Sequence, residues 1–487
     1  MSRKRIVIVG GSIAGLGAAL ALAREGHRVT VLEADAISDP PSPEAAFADW
    51  DRRGSPQTRH SHAFLARLRN LLLDREPDFL KALLEAGAEP LRLTDMLTPA
   101  LDDPTPKPGD ERIVMLALRR ITFEWVLRRL AAERDGITLR QPARVTSLIA
   151  DRDSSSGLPR VTGVRIEGAG ELAADLVIDA SGRRSKLGRW LEEIGAAPLE
   201  EVSSPCGIYY CSRFYRLREG LERPPREGGM GGDLGYVKFG VFPGDARSFS
   251  ITLAAAPDDD PMRAIVRRRG FEIVAEALPM TRAWIERADP ISHVHAMANL
   301  QNTRRFQVRD GEPLALGVIA IGDAAMHANP QYGRGCTVGM LHGFLLADAL
   351  REHPTDARAA ALALEAATER ELVPWFDLTV KNDNDAIWAY EAQRRGEDPF
   401  EVPTSGPVDP RTYTRALVRH GLVPALRTHA AVLRAFMREL NMLGTPGSSL
   451  REPEVLKIVL DAYARRSDRD DLPPGPRRSE MLERLAA

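Results

Sequence analysis

The stretch that most narrows the fold is residues 5–35, RIVIVGGSIAGLGAALALAREGHRVTVLEAD. Residues 6–9 form an apolar, β-branched run of the kind found in a strand buried on both faces. Gly10 and Gly11 supply a tight turn, and residues 14–23 are small and helix-favouring. A second strand, 29–32, ends on Glu33, eighteen residues after Gly15. Strand, glycine turn, helix, strand and terminal acid in this order predict a βαβ unit that binds a dinucleotide. Gly15 lets the helix pack closely on the strand. At Ser12, Ile13 and Ala14 the helix start offers free N–H groups and its positive dipole end to a diphosphate. Ser12 replaces the middle glycine of the usual pattern, but it is small and its hydroxyl is able to donate to phosphate. Glu33 is placed to accept from a ribose and to repel a 2′-phosphate, so FAD or NAD is expected and NADP is not.

A chain of 487 residues is long enough for two or three structural units. Its formal net charge of −2 gives no reason to expect a nucleic-acid partner. Three cysteines, Cys206, Cys211 and Cys336, have no paired metal spacing, and their odd number fits a reducing, cytoplasmic setting. Two H-x-H pairs, His60/His62 and His293/His295, lack carboxylate or thiolate partners at matching spacing, so no metal is expected. MSRKR before an apolar stretch imitates a secretory leader. Gly10, Gly11, Gly15 and Gly17 interrupt that stretch, and the chain is expected to be unprocessed. No apolar run has the character of a membrane span.

Further along, residues 64–73 and 79–86 carry helical patterns, 113–118 a strand, and 121–133 an amphipathic helix with Phe123, Val126, Leu127 and Leu130 on one face. Residues 137–139, 145–149 and 161–166 look like a small meander, and DLVIDASG returns a buried strand. From about 200 to 300, short strands alternate with Gly/Pro turns, as an open sheet does. LALGVIAIGDAA is another buried strand, and the remainder is mostly helical, with a Pro-rich break near 399–410. The expected fold is α/β: a Rossmann-like nucleotide domain split between 1–190 and 300–375, with 75–110 partly facing the substrate. A β-rich substrate domain is inserted at 191–299, and a helical C-terminal region occupies 376–487.

Three separated motifs, GGSIAG with Glu33, DLVIDASGRRSKLGRWLEEIG and GVIAIGDAAMHANPQYGRGCTVGMLHGFLLADAL, resemble FAD-dependent monooxygenases of the aromatic-hydroxylase and squalene-epoxidase type. The loop PQTRHSH and the turn NPQYG are most similar to bacterial polyene epoxidases of polyether biosynthesis. The resemblance implies bound FAD, with Gly322 and Asp323 at the ribityl chain. It places Pro330, Gly333 and Gly335 at the flavin ring, and the helix start at Cys336 at the ring's N1/O2 edge. It further implies Arg59, with Gln57 near it, as a candidate for the diphosphate, and Arg120 near the cofactor. Asp179 and Gly182 belong to the middle motif. Here Ser181-Gly182 stands where aromatic hydroxylases carry Asp-Gly, as in flavin halogenases and some reductases. Electrons are therefore expected from NAD(P)H directly or through a separate flavin reductase. Arg334 is open between adding positive charge at the flavin and facing water.

The implied reaction is oxygen transfer from a flavin C4a-hydroperoxide, formed with O2, to an apolar alkene or aromatic of secondary metabolism. Tyr209, Tyr236, Phe239 and Phe242 are candidates for an apolar wall, with plain core packing the commoner role for each. The alternative is an FAD-dependent dehydrogenase or reductase acting on an isoprenoid or polyketide without oxygen insertion. A flavin halogenase is disfavoured because the W-x-W-x-I-P stretch is absent, and a binding protein retaining FAD as a relic is a further rival. The amphipathic tail 411–443 is expected to cover the substrate domain in preference to touching a membrane peripherally.

Overall fold

The structure is a computed structural model that describes residues 3–153, 156–225, 230–403, 405–469 and 475–487. Met1 and Ser2, at the head of the leader-like stretch, and residues 226–229 of the expected insert lie outside the described residues. The strand Arg5–Val9 is buried on both faces, which is why its sequence is continuously apolar. Ile6 and Ile8 point into one core, with the helices Ile13–Arg24, Arg120–Glu133 and Gly335–Glu352. Val7 and Val9 point into another, with Leu187, Trp190 and the antiparallel strands Val145–Arg152 and Pro159–Ile166.

This strand is the centre of a five-stranded parallel sheet. The order is Val318–Ala320, Leu176–Asp179, Arg5–Val9, Arg28–Leu32, Ile137–Arg140. The expectation for residues 137–139 needs correcting: Ile137–Arg140 is the parallel edge strand, and the meander consists of Val145–Arg152, Pro159–Ile166 and Gly170–Ala173. The helix Arg120–Glu133 is the crossover that brings the chain back in the parallel sense.

The second large sheet is antiparallel and orders Gly231–Asp233, Lys238–Pro243, Ser248–Ala255, Tyr209–Leu217, Ala288–Pro290, with His295–Met297 also paired to Tyr209–Leu217. One face packs on the helices Arg268–Ala277 and Pro279–Ile285. Alternation along Tyr209–Leu217 sends Tyr210, Ser212 and Phe214 to the other face, towards the nucleotide unit. The strands Glu200–Pro205, Gln301–Phe306 and Met326–His327 make a three-stranded bridge between the two units.

The expectation for the tail also needs correcting. The helix Ala430–Leu440 packs on Leu65, Leu93, Ile113 and Met115, and Arg434 forms a buried ion pair with Asp110 at 3.0 Å. That charge pair and the apolar stripe bind it beside the nucleotide unit. The last helix, Arg478–Ala486, joins Arg268–Ala277 and Pro279–Ile285 over the inserted sheet, with Met481 buried in that sheet's core. Among the described residues no helix is long and apolar enough to cross a membrane.

Candidate cofactor site

Parallel pairing brings the three motifs to one edge. Val9, Asp179 and Ala320 are in register, so the turns after them leave the sheet side by side. A methyl group on Gly10 would lie 2.5 Å from the Ala180 carbonyl oxygen, and one on Gly15 would lie 1.9 Å from the Gly10 carbonyl oxygen. Gly322, at φ +57°, sits so close to Ala14 that its own methyl would lie 2.7 Å from that side chain. First and third motifs are therefore in direct contact, and the helices Ile13–Arg24 and Gly335–Glu352 continue that contact at Ala18 and Gly343.

The helix start at Ser12 is surrounded by a buried ionic network. Gly11 N–H donates to Glu33 Oε2 at 3.1 Å, and Asp35 N–H donates to Glu33 Oε1 at 2.9 Å. Arg52 bridges two acids, at 3.2 Å to Glu33 Oε2 and 2.7 Å to Glu124 Oε2. Arg120 donates from Nε to Glu124 Oε1 at 2.9 Å and from Nη2 to Ser12 Oγ at 3.2 Å. Ser12 Oγ itself donates to Glu124 at 2.9 Å. Arg128 reaches the Gly11 carbonyl at 3.2 Å. Burial alone pushes the Glu124 carboxyl up, but Arg120 and Arg52 outweigh it and hold the group below its ordinary range.

Arg120 also fixes a histidine tautomer. A guanidinium only donates, so His62 Nε2, 3.2 Å from Arg120 Nη1, is the bare nitrogen. Nδ1–H then donates to the His60 carbonyl at 3.0 Å. Burial first, and the Arg120 charge next, push His62 down to about 3, so its ring is neutral near pH 7. His60 is likewise pushed down to about 3 by burial, and its Nδ1 lies 3.1 Å from Ser212 Oγ on the inserted sheet.

The third motif is held from behind. Gly322 N–H donates to His342 Nδ1 at 3.2 Å, which leaves Nε2–H to donate to Thr368 Oγ1 at 3.2 Å. Asp323, half-buried, has no hydrogen bond or ion pair to its carboxylate among the described residues. Pro330–Tyr332 is a single 3-10 turn closed by Gly333 at φ +67°. A methyl on Gly333 would lie 3.1 Å from Ala63, so this turn lies against the PQTRHSH loop. Gly335 has open space where a methyl would go, and Cys336 follows in the first turn of its helix. Burial pushes the Cys336 thiol up to about 11, so it is a thiol and not a thiolate.

Residues Gly10, Ser12, Ile13, Ala14, Gly15, Glu33, Arg120, Gly322 and Asp323 come together at this edge, with Pro330, Gly333, Gly335 and Cys336 beside them. Two others are placed differently from expectation. Arg59 gives its guanidinium to the Phe47 and Trp50 carbonyls, at 2.5 and 2.7 Å, and so pins the segment 47–50 instead of facing Ser12. Asp179 accepts from Ser181 N–H at 2.9 Å and from the Ser185 hydroxyl, so its carboxylate shapes its own turn around Gly182, at φ +82°. Arg334 faces neither water nor the cradle, since it donates to Trp375 O and Thr379 Oγ1. Tyr209, Tyr236 and Phe239 are packing residues of the inserted sheet's core, whereas Phe242 lies in register with Ser250 on the face towards the nucleotide unit.

Sequence reading missed Arg52, Glu124, Arg128, His342 and Asp383. Arg120, Glu124 and Arg128 recur every four residues on one helix, a charged stripe that was open to detection. Arg52 comes from a polar stretch without periodicity and carried no signal.

The donor set suits FAD. The helix start at Ser12, with the Arg120 charge beside it, favours a diphosphate, the helix start at Gly335 favours negative charge on a ring, and the unpartnered Asp323 carboxylate suits a polyhydroxyl chain. Ser181 Oγ is buried without a hydrogen-bond partner, a further group wanting a ligand.

The family described as FAD dependent oxidoreductase matches residues 5–97. The chain is 28% identical over 401 residues to Protein Rv3254 of Mycobacterium tuberculosis, covering 77% of this chain and 79% of that one. It is 27% identical to the kynurenine 3-monooxygenase of Salinispora arenicola, covering 79% and 80%, and 27% identical to a digeranylgeranylglycerophospholipid reductase of Methanothrix thermoacetophila, covering 51% and 58%. Among solved structures, the flavin-dependent brominase Bmp2 matches with a TM-score of 0.60 at 15% identity, covering 96% and 100%. PqsL of Pseudomonas aeruginosa, a probable FAD-dependent monooxygenase, matches with a TM-score of 0.58 at 16% identity, covering 81% and 98%. Residues 5–97 thus match an FAD-dependent oxidoreductase family, and the chain has the fold shared by FAD-dependent monooxygenases and halogenases.

Proposed function

We propose that this protein is a flavin-dependent monooxygenase that epoxidises or hydroxylates an apolar alkene or aromatic of secondary metabolism. The observation that carries the reading is the convergence of three motif turns at one sheet edge around the free Asp323 carboxylate. Bound FAD supplies the redox chemistry with O2. The chain's own groups do the rest. The amides at the start of Ile13–Arg24, backed by the Arg120 charge, would hold the diphosphate; those at the start of Gly335–Glu352 would favour negative charge on the ring, and Asp323 would accept from hydroxyls. Between the inserted sheet and the PQTRHSH loop, Ser212 and Thr252 of the sheet, Ser61 of the loop and Ser250 of the sheet form a hydroxyl chain with links of 2.8, 2.7 and 2.7 Å. These hydroxyls satisfy one another, so beside Tyr210, Phe242 and Met297 they present a face that asks little of a ligand in hydrogen bonds. His62, neutral and tautomerically fixed, brings no acid of its own, which suits oxygen transfer to an alkene. Electrons come from NAD(P)H or a flavin reductase, and the setting is cytoplasmic.

The test is oxygen labelling. Protein loaded with FAD and supplied with a reductant under 18O2 should place one labelled atom in an epoxide or phenol product. Turnover without label would replace this reading with the second one, reduction of an isoprenoid or polyketide, which the likeness to the Methanothrix reductase favours.

A further inference from the structure

Helix Val373–Arg394 lies outside the three motifs, yet one of its faces is given over to the turn at 329–334. Trp375, Thr379 and Asp383 recur every four residues on that face. At the first level Arg334 Nη1 donates to Trp375 O at 3.1 Å and to Thr379 Oγ1 at 2.7 Å. At the second, Asp383 accepts from Asn329 Nδ2 at 2.9 Å and from the Tyr332 hydroxyl at 3.1 Å. Its other oxygen accepts from Asn302 Nδ2 at 2.8 Å. Asn302 in turn accepts the Asn329 backbone N–H at 2.8 Å. One buried carboxylate thus ties a strand of the bridging sheet to both ends of a turn that begins at Pro330. A buried acid is costly unless its lone pairs are filled, and three donors from two segments fill them. No step of the reaction proposed above uses this group.

We propose that Asp383 is a positioning residue: through Asn329 and Tyr332 it sets the turn 329–334 at the place the flavin ring requires. The inference rests on the flavin reading above. Asp383 acts through the turn, with Tyr332 as its weaker and Asn329 as its stronger handle, since Asn329 also caps the turn by accepting Gln331 N–H at 3.0 Å.

The experiment uses the full chain with Asp383→Asn, Tyr332→Phe, and the exchange pair Asp383→Asn with Asn329→Asp. In the exchange pair the acid moves to the turn and the amide to the helix, so donor and acceptor are reversed and the bond is restored. Amide hydrogen exchange over residues 326–338 is read in flavin-free protein, and FAD affinity and the visible flavin spectrum are read by titration. Asp383→Asn should speed exchange in that segment and weaken FAD by about tenfold, the scale of one lost hydrogen bond to a charged group, with a shifted spectrum. Tyr332→Phe should do less of both, and the exchange pair should recover most of both. Unchanged exchange in Asp383→Asn overturns the clamp. Faster exchange with unaltered affinity and spectrum overturns the positioning role, as does an exchange pair that recovers folding but neither flavin readout. A parent protein that binds no FAD overturns the flavin reading and the positioning role with it, while the exchange data still report the clamp separately.

Discussion

At the Gly10 edge of the cradle, Glu33, Arg52, Glu124 and Arg120 bury acids and bases against one another. At the Pro330 edge Asp383 is a single acid whose donors are two amides and a phenol. Both edges are buried, but they will fail differently. In the charged network each ion is stabilised by its opposite, so deleting one member strands the others in a medium that cannot solvate them. Around Asp383 the partners are neutral donors, so losing one leaves the carboxylate its other two and strands no opposite charge, which costs less. The comparison teaches where this protein tolerates change: the edge expected to meet a diphosphate is rigid through charge balance, and the edge expected to meet a ring is held by hydrogen bonds that can be exchanged singly.

Glu124→Gln is the sharpest way to break the first half of that comparison. It leaves Arg52 and Arg120 buried without their shared carboxylate. Unfolding in urea should show a loss of about 3–5 kcal/mol, the range for a broken buried ion pair. A loss under about 1 kcal/mol would mean that the four groups are not charge-balanced in the way the geometry implies.

The next effect is on pH dependence. His60 and His62 are pushed down to about 3 by burial, and His342 to about 4. A histidine whose pKa falls on folding binds its proton more readily in the unfolded chain. Its contribution is therefore fully present above pH ~6.5 and is lost as pH falls towards the folded value. His342 alone contributes on the order of 3 kcal/mol across pH 6.5 to 4. His342→Gln keeps an acceptor for Gly322 N–H and a donor for Thr368, and should flatten the stability–pH curve in that window without large loss at pH 8. A curve unchanged in slope would remove His342 from the acid response.

How much of this was open to sequence reading depended on spacing. Arg5–Val9, its glycine turn and Glu33 are local, and their order alone dictated a strand, a helix start and an acid at the next strand's end. Ile137–Arg140 was assigned to the wrong sheet because a short strand carries no record of its partner; only the crossover helix before it decides the pairing. Arg59 shows the same lack of record: an arginine in a polar loop can reach many acceptors, and here its guanidinium meets the Phe47 and Trp50 carbonyls. Asp383 and Asn329 meet across 54 positions, a contact that tertiary packing creates and no local pattern announces.

Arg59 gives a smaller and more selective effect. Arg59→Ala frees two carbonyls that its guanidinium now satisfies and removes the stacking over Phe47. Stability should fall by about 1–3 kcal/mol in thermal unfolding. FAD affinity should hold within about threefold, an energy difference under 1 kcal/mol. A loss of affinity far larger than the loss of stability would return Arg59 to the diphosphate.

Gly335 should move stability least, and for that reason it separates the cofactor from the fold most cleanly. Gly15 and Gly335 are both glycines of the cradle, but a methyl at Gly15 collides with the Gly10 carbonyl, whereas a methyl at Gly335 meets open space. Gly335 also begins a helix, where alanine is the better former. Gly335→Ala should therefore leave the flavin-free protein unchanged or more stable by about 0.5 kcal/mol, read as a small rise in melting temperature. If the glycine is there so that the helix start can approach a flat ring, the same substitution should weaken FAD binding in titration while stability rises. An alanine that stabilises the protein and leaves FAD binding intact would mean that this helix start keeps its distance from the ring, and the Pro330 edge would lose its claim to the flavin.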